Sequence, residues 1–217
     1  MHEAKVVDSL WTIVLAAGGS QRLGQAKQLV RWRGDTLIGH AVRNAQALCA
    51  ERVLVVIGAH RAAIEAALAT QAPALVVNAK WVEGLASSLR AGITALPSDC
   101  AGVLLLTCDQ PLIARTALCT LIERWVATPD AVVASAYAGT VGIPAVLPAR
   151  TFAALMQLSG DSGARALLRA EGARLQTVSV PEAAFDVDDE RALRSLEEFD
   201  MAAGGRSHGS ATDDGTV

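Results

Sequence analysis

The stretch that most constrains the fold runs from Thr12 to Lys27. Thr12 to Ala16 is a short apolar run rich in β-branched residues, and it reads as a buried strand. It breaks into Gly18-Gly19-Ser20, where a backbone without Cβ can turn sharply and come close to a ligand. Arg22 and Lys27 follow within one loop. A strand, a glycine turn with free N–H groups and two cations together suit a polyphosphate. The spacing is not that of a P-loop, because Gln25-Ala26 follows Gly24 where Lys-Ser/Thr is needed. Nor do Gly18, Gly19 and Gly24 make G-x-G-x-x-G. An ordinary strand-to-helix turn carrying two solvated cations is the competing interpretation.

The chain as a whole is 52% apolar but only 4% aromatic, so the core must be Ala, Val and Leu, as in layered α/β proteins. The 217 residues suit one domain, expected over 12–203, with an N-terminal extension over 1–11 and a disordered Gly/Ser/Thr/Asp tail over 204–217. A net charge of −3 without a basic block argues against nucleic-acid binding. No apolar run approaches the roughly 20 residues that cross a bilayer. Met1-His-Glu-Ala-Lys lacks the pattern of a signal peptide, so a cytoplasmic protein without membrane contact is expected. Cys49, Cys100, Cys108 and Cys119 show no C-x-x-C spacing and read as reduced thiols, not a zinc site.

Leu37, Ile38, Ala41, Val42, Ala45 and Leu48 recur at helical spacing, and Arg52 to Ile57 is a second buried strand. Ala62 to Ala69 reads as helix and Ala74 to Val77 as strand. Leu85, Leu89, Ile93 and Leu96 then form one stripe of a helix with Ser87 and Ser88 in its early turns. Gly102 to Thr107 is the most hydrophobic strand. Pro111 suits the first position of a helix over Leu112 to Val126, and Ala131 to Tyr137 is a further strand. Gly139 to Pro148 carries so many breakers that a loop with a short edge strand is expected. Asp161 or Ser162 is the expected cap of the next helix, Leu175 to Val180 is a late strand, and Asp186 to Glu190 opens a last helix over Arg191 to Phe199. Such alternation predicts a three-layer α/β/α fold with a mostly parallel, Rossmann-like sheet. Ligands then sit beyond the carboxyl ends of the strands, which gathers the glycine loop, Asp109 and Asp188.

A bare carboxylate ending a buried strand needs a partner, since a desolvated charge is costly. Asp109 either caps the helix after Pro111 or, with Asp188, holds Mg²⁺ against substrate phosphates. Asp188 has its own alternative, an acidic group at a helix N-terminus. Cys108 reads as a buried thiol, not a nucleophile.

Leu15-Ala-Ala-Gly-Gly-Ser-Gln-Arg-Leu-Gly-Gln-Ala-Lys27 resembles the L-A-x-G-x-S-x-R-M-G-x-x-K signature of MobA-like nucleotidyltransferases. Asn78-x-x-Trp81-x-x-Gly84-x-x-Ser87-Ser88, Cys108-Asp109-Gln110-Pro111, Gly142-x-Pro144 and Gly160-Asp161-x-Gly-Ala-Arg165 are similar to later blocks of the molybdenum cofactor cytidylyltransferase branch. The resemblance runs in order from about Thr12 to Phe199, with Leu23 in place of Met and Asp189-Glu190 in place of Thr-Pro. It implies a GT-A-type, nucleotide-diphospho-sugar-transferase-like fold and nucleotidyl transfer to a phosphorylated acceptor. Leu15, Ala16, Ala17, Gly18, Gly19, Ser20, Ser87 and Ser88 would bind the nucleotide, with Arg22 and Lys27 at its phosphates and Mg²⁺ on Asp109 and Asp188. Gln110, Pro111, Gly142, Pro144, Asp161 and Arg165 would contact the acceptor. Ala16-Ala17-Gly18 resembles the CTP-using members more than the GTP-using ones, and the implied acceptor is a molybdopterin, with a molybdoenzyme as a candidate partner. Three other functions compete: a sugar- or isoprenoid-phosphate cytidylyltransferase, a nicotinamide-dependent hydride transfer disfavoured by the missing G-x-G-x-x-G, and a non-catalytic cofactor chaperone for a xanthine-dehydrogenase-type enzyme.

Overall fold

The computed structural model describes residues 9–161 and 163–204, with side chains up to residue 200. The expected extension up to residue 8, the tail beyond Gly204 and the candidate cap Ser162 lie outside the described residues. Strand β1, Leu10–Ala16, is buried on both faces: Leu10, Val14 and Ala16 join one core, Ile13 and Leu15 the other. A strand so buried needs a helical layer on each side. A two-residue hairpin follows, β2 (Arg31–Trp32) and β3 (Asp35–Thr36), and leads into α1, Leu37–Cys49, whose first turn is capped by the Thr36 hydroxyl accepting from the Gly39 N–H at 3.1 Å. Next come β4 (Val53–Ile57), α2 (Arg61–Ala67), β5 (Ala74–Val77) and α3 (Leu85–Thr94). The chain continues through β6 (Gly102–Thr107), α4 (Arg115–Ala127), β7 (Val132–Tyr137) and β8 (Thr140–Pro148). It closes with α5 (Phe152–Leu155), α6 (Ala164–Ala170), β9 (Leu175–Ser179) and α7 (Glu190–Gly204).

Apart from the β2–β3 hairpin, the strands form one sheet in the order β5-β4-β1-β6-β8-β7-β9, parallel except for β8. Residues of α1, α2 and α4 build the core on one face, and residues of α3, α5 and α6 the core on the other. This is the expected three-layer, mostly parallel architecture. The chain runs outward from β1 through β4 to β5 and then returns to place β6 on the other side of β1. That reversal opens a crevice between the carboxyl ends of β1 and β6, where open α/β sheets bind ligands. Among the described residues no helix is long and apolar enough to cross a membrane.

Three local expectations are corrected. Thr140–Pro148 is not a loop with an edge strand but a nine-residue strand in the sheet interior, buried from Pro144 to Pro148. Pro144 is tolerated because the ladder with β7 shifts register beside it, between Ala134 and Ser135, where a missing N–H costs nothing. The helix after β6 starts at Arg115 with Ala114 as its cap, so Pro111 is not its first residue. The intervening chain is knitted elsewhere: the Asp109 carbonyl accepts from Val187 N–H at 2.8 Å, and the Gln110 amide donates to Ala183 and Ile143 carbonyls. Finally, α6 is preceded by Gly163 with no side-chain cap, so Asp161 does not cap it.

Candidate active site

The loop leaving β1 does not run into a helix; its first regular turn is a 3₁₀ turn at Lys27–Leu29. Gln28 holds it in shape. This amide is 1% exposed, donates from Nε2 to the carbonyls of Ala16 (3.0 Å) and Gly18 (2.7 Å), and accepts the Ser20 hydroxyl at 3.3 Å. Ser20 Oγ in turn accepts from the Lys27 N–H at 3.1 Å. Carbonyls are thereby turned inward, while the N–H groups of Gly18 and Gly19 find no protein acceptor among the described residues. The neighbouring Gly58 makes room for Trp81, since a Cβ there would lie 2.7 Å from the Cβ of that indole.

The clamp aims Lys27 at the end of β6. Its Nζ donates to Asp109 Oδ2 at 2.6 Å and Asp188 Oδ1 at 2.7 Å, and Arg22 donates to Asp188 Oδ2 at 2.7 Å. Asp188 reaches the site because Val187 pairs with the Asp109 backbone and buries its side chain with Leu23, Val30 and Leu196. Lys27 is therefore no solvated loop cation but an interior link between the Asp109 and Asp188 carboxylates. Burial opposes its charge, yet Asp109 and Asp188 outweigh burial and push its pKa above the usual lysine value. Burial likewise works against Asp188, but Lys27 and Arg22 prevail and hold its carboxyl below its ordinary pKa. Asp186 joins the cluster and had no assigned role in the sequence. Burial, then the charges of Asp109 and Asp188, push its pKa up. The signal for it was the D-x-D spacing, since alternate residues of an extended segment share a side. Cys108 is buried, and burial followed by the Asp109 charge pushes its thiol up to about 12, so it is no thiolate.

Two adjoining recesses meet at Asp109. The larger, about 520 Å³, is lined by Leu15 to Gly19, Arg22, Lys27, Trp81, Ser88 and Asp109 among others. Ser87 and Ser20 do not line it: Ser87 donates to the Gly84 carbonyl at 2.8 Å, and Ser20 is engaged with Gln28. Asn78 Nδ2 donates to both Ser87 Oγ (2.8 Å) and Ser88 Oγ (3.0 Å), which fixes Ser88 on the wall. The smaller recess, about 290 Å³, brings together Gln110, Asp161 and Arg165 with Asp109, Tyr137 and Asp186. Pro111 and Pro144 line a separate, much smaller cavity against α1, and Gly142 lies under Tyr137.

Among the described residues no three His, Cys, Asp or Glu side chains form a ready-made metal cage. Asp109 and Asp188 nevertheless present hard carboxylate oxygens, the donor chemistry of Mg²⁺, which ordinarily takes one or two carboxylates and completes its shell with water and phosphate.

The pattern of the MobA-like NTP transferase domain matches residues 12–178. Nicotine blue oxidoreductase of Paenarthrobacter nicotinovorans is 31% identical over 72% of this chain and 80% of its own. The molybdenum cofactor cytidylyltransferase of Escherichia coli is 28% identical over 40% of this chain and 45% of its own. The crystal structure of Rv0371c from Mycobacterium tuberculosis superimposes with a TM-score of 0.76 at 29% identity, covering 87% of this chain and 97% of that one. The same protein in complex with manganese gives a TM-score of 0.73 at 27% identity, covering 87% and 98%.

Proposed function

The chain belongs to the MobA-like NTP transferase family, and we propose that the group it transfers is CMP, taken from CTP and placed on the phosphate of a molybdopterin-type acceptor with release of pyrophosphate. The observation that carries this reading is the pair of recesses meeting at Asp109, beside a linked Lys27, Arg22 and Asp188. A triphosphate in the larger recess places its α-phosphorus near Asp109, and an acceptor in the smaller one approaches from the opposite side. The acceptor oxygen is already an anion: it forms the new O–P bond as the bond to the departing pyrophosphate breaks, and no proton needs to be removed. That suits a site in which Cys108 is held as a thiol. Lys27 and Arg22 turn from the carboxylates to the phosphates and offset their charge, and the glycine-loop N–H groups orient them. Mg²⁺ held by Asp109 and Asp188 would supply further charge neutralisation at the phosphates.

Ala17 is 3% exposed, and its carbonyl is tied to the Ala59 N–H at 3.0 Å, so the loop backbone beside the base is stiff. A base pocket that fits closely excludes a larger ring by clash and unpaired polar groups. The test is pyrophosphate release by the purified chain with molybdopterin, Mg²⁺ and either CTP or GTP. CTP should give the higher kcat/KM, and Ala17→Gly should narrow the difference. A preference for GTP would overturn the choice of base, and binding of molybdopterin without pyrophosphate release from any nucleotide would mark a cofactor chaperone. A second reading, a reductase on the same fold, is favoured by the 31% identity to nicotine blue oxidoreductase. It predicts nicotinamide oxidation in place of pyrophosphate release.

A further inference from the structure

The smaller recess contains a residue with no role assigned above. Its apolar walls are Leu85, Ile143 and Ala164, and most of its polar side chains are already engaged by the protein. Thr107 donates its hydroxyl to Gln110 Oε1 at 3.1 Å, and Gln110 Nε2 donates to the Ile143 (3.3 Å) and Ala183 (2.8 Å) carbonyls. Asp109 is held by Lys27, and Asp186 leans on Asp188. The Tyr137 hydroxyl, by contrast, has no protein partner among the described residues, although the ring is half-buried.

Its placement is fixed by the backbone. Tyr137 ends β7, and the two-residue turn that follows has Ala138 at φ 46° and Gly139 at φ 73°, the twist that a tight hairpin needs. The ring is thereby laid across β8 on Gly142. A Cβ at Gly142 would lie 2.2 Å from the Tyr137 hydroxyl oxygen and 3.0 Å from the ring carbon that bears it. Only glycine leaves that space. A phenol packed on a strand at the wall of a recess, its hydroxyl without a protein partner among the described residues, is pre-organised for a ligand: the ring offers apolar contact and the hydroxyl one directional hydrogen bond.

We infer that Tyr137 is a specificity-determining residue for the acceptor, its hydroxyl bonding the polar edge of a flat ring whose face packs against Leu85 and Ile143. This rests on the proposed nucleotidyl transfer and narrows the acceptor to phosphomonoesters carrying a hydrogen-bonding ring. Polyol phosphates would leave the apolar walls poorly filled.

Tyr137 is the chain's single tyrosine, so tyrosine labelled with carbon-13 at Cζ gives one signal. That signal should move on saturation with molybdopterin and stay in place on saturation with CTP and Mg²⁺. Tyr137→Phe should raise KM for molybdopterin about tenfold, the loss of one hydrogen bond that leaves its partner unpaired, with KM for CTP and the melting temperature unchanged. Gly142→Ala, which displaces the ring, should show the same split; if it does not fold, the Tyr137→Phe kinetics decide. A signal unmoved by molybdopterin, or an unchanged acceptor KM in Tyr137→Phe, would overturn the role of Tyr137 and leave the nucleotidyl transfer standing. A wild-type chain that turns over CTP with no molybdopterin-type acceptor would overturn the proposed function, and this inference with it.

Discussion

Replacing Lys27 by methionine keeps the apolar stem and removes the ammonium between Asp109 and Asp188. Removing one partner of a fully buried pair costs about 3–5 kcal/mol, whereas a fully exposed pair contributes about 0–1 kcal/mol. The Lys27, Asp109 and Asp188 side chains are 18%, 17% and 26% exposed, and Arg22 remains on Asp188. The cost is therefore intermediate, about 2 kcal/mol. At about 2–4 °C per kcal/mol for a domain of this size, Tm falls by about 4–8 °C. A solvated loop cation would instead cost less than about 0.5 kcal/mol. The pH dependence has a definite sign. Lys27 has a raised folded-state pKa, so its stabilisation is whole below the ordinary lysine value of 10.5 and is lost as pH rises beyond it. Calorimetric melts of wild type and Lys27→Met without nucleotide should differ equally at neutral and mildly alkaline pH. The gap should narrow only above that value. Adding Asp109→Asn to Lys27→Met should recover about half of the loss, because the uncompensated carboxylate is gone. A Lys27→Met variant that melts with the wild type, or a double variant with no recovery, would refute the linked-carboxylate account.

Cys108→Ala should keep turnover within about threefold of wild type, since the thiol is not ionised. In the native chain a thiol reagent followed by mass spectrometry should modify Cys119 first, as the other three cysteines are buried. Gln28→Leu should cost about 2–3 kcal/mol by leaving the Ala16 and Gly18 carbonyls unpaired, and it should raise KM for the nucleotide more than it lowers kcat; denaturant melts and steady-state kinetics separate the two effects.

The strands β1, β4 and β6 and the helices between them were legible because their signals are local: β-branched runs closed by glycine, and apolar stripes at helical spacing. Strand β8 was not, because Gly142, Pro144 and Pro148 are breakers by themselves, and only pairing with β6 and β7 overrides them. The start of α4 was missed for a related reason. Pro111 suits a first helical turn, but Gln110 is drawn toward Ile143 and Ala183, partners 33 and 73 residues away. Asp109, Asp188, Arg22 and Lys27 were singled out in the sequence, and the structure places their side chains together. That Lys27 is interior was invisible, since the carboxylates enclosing it lie 82 and 161 residues along the chain. Gln28 gave no sequence signal at all, because a lone glutamine in a polar loop looks solvated.

The most direct measurement follows the α-phosphorus. CTP carrying a radioactive α-phosphate is incubated with the chain, Mg²⁺ and molybdopterin, and the label is traced by chromatography. The account predicts that it moves into the acceptor, one label for each pyrophosphate released, and that Asp109→Asn abolishes the transfer in a chain that still folds, with Tm lowered by no more than in Lys27→Met. Label that remains in CTP or CMP while the acceptor is unchanged, or transfer undiminished in Asp109→Asn, would contradict it.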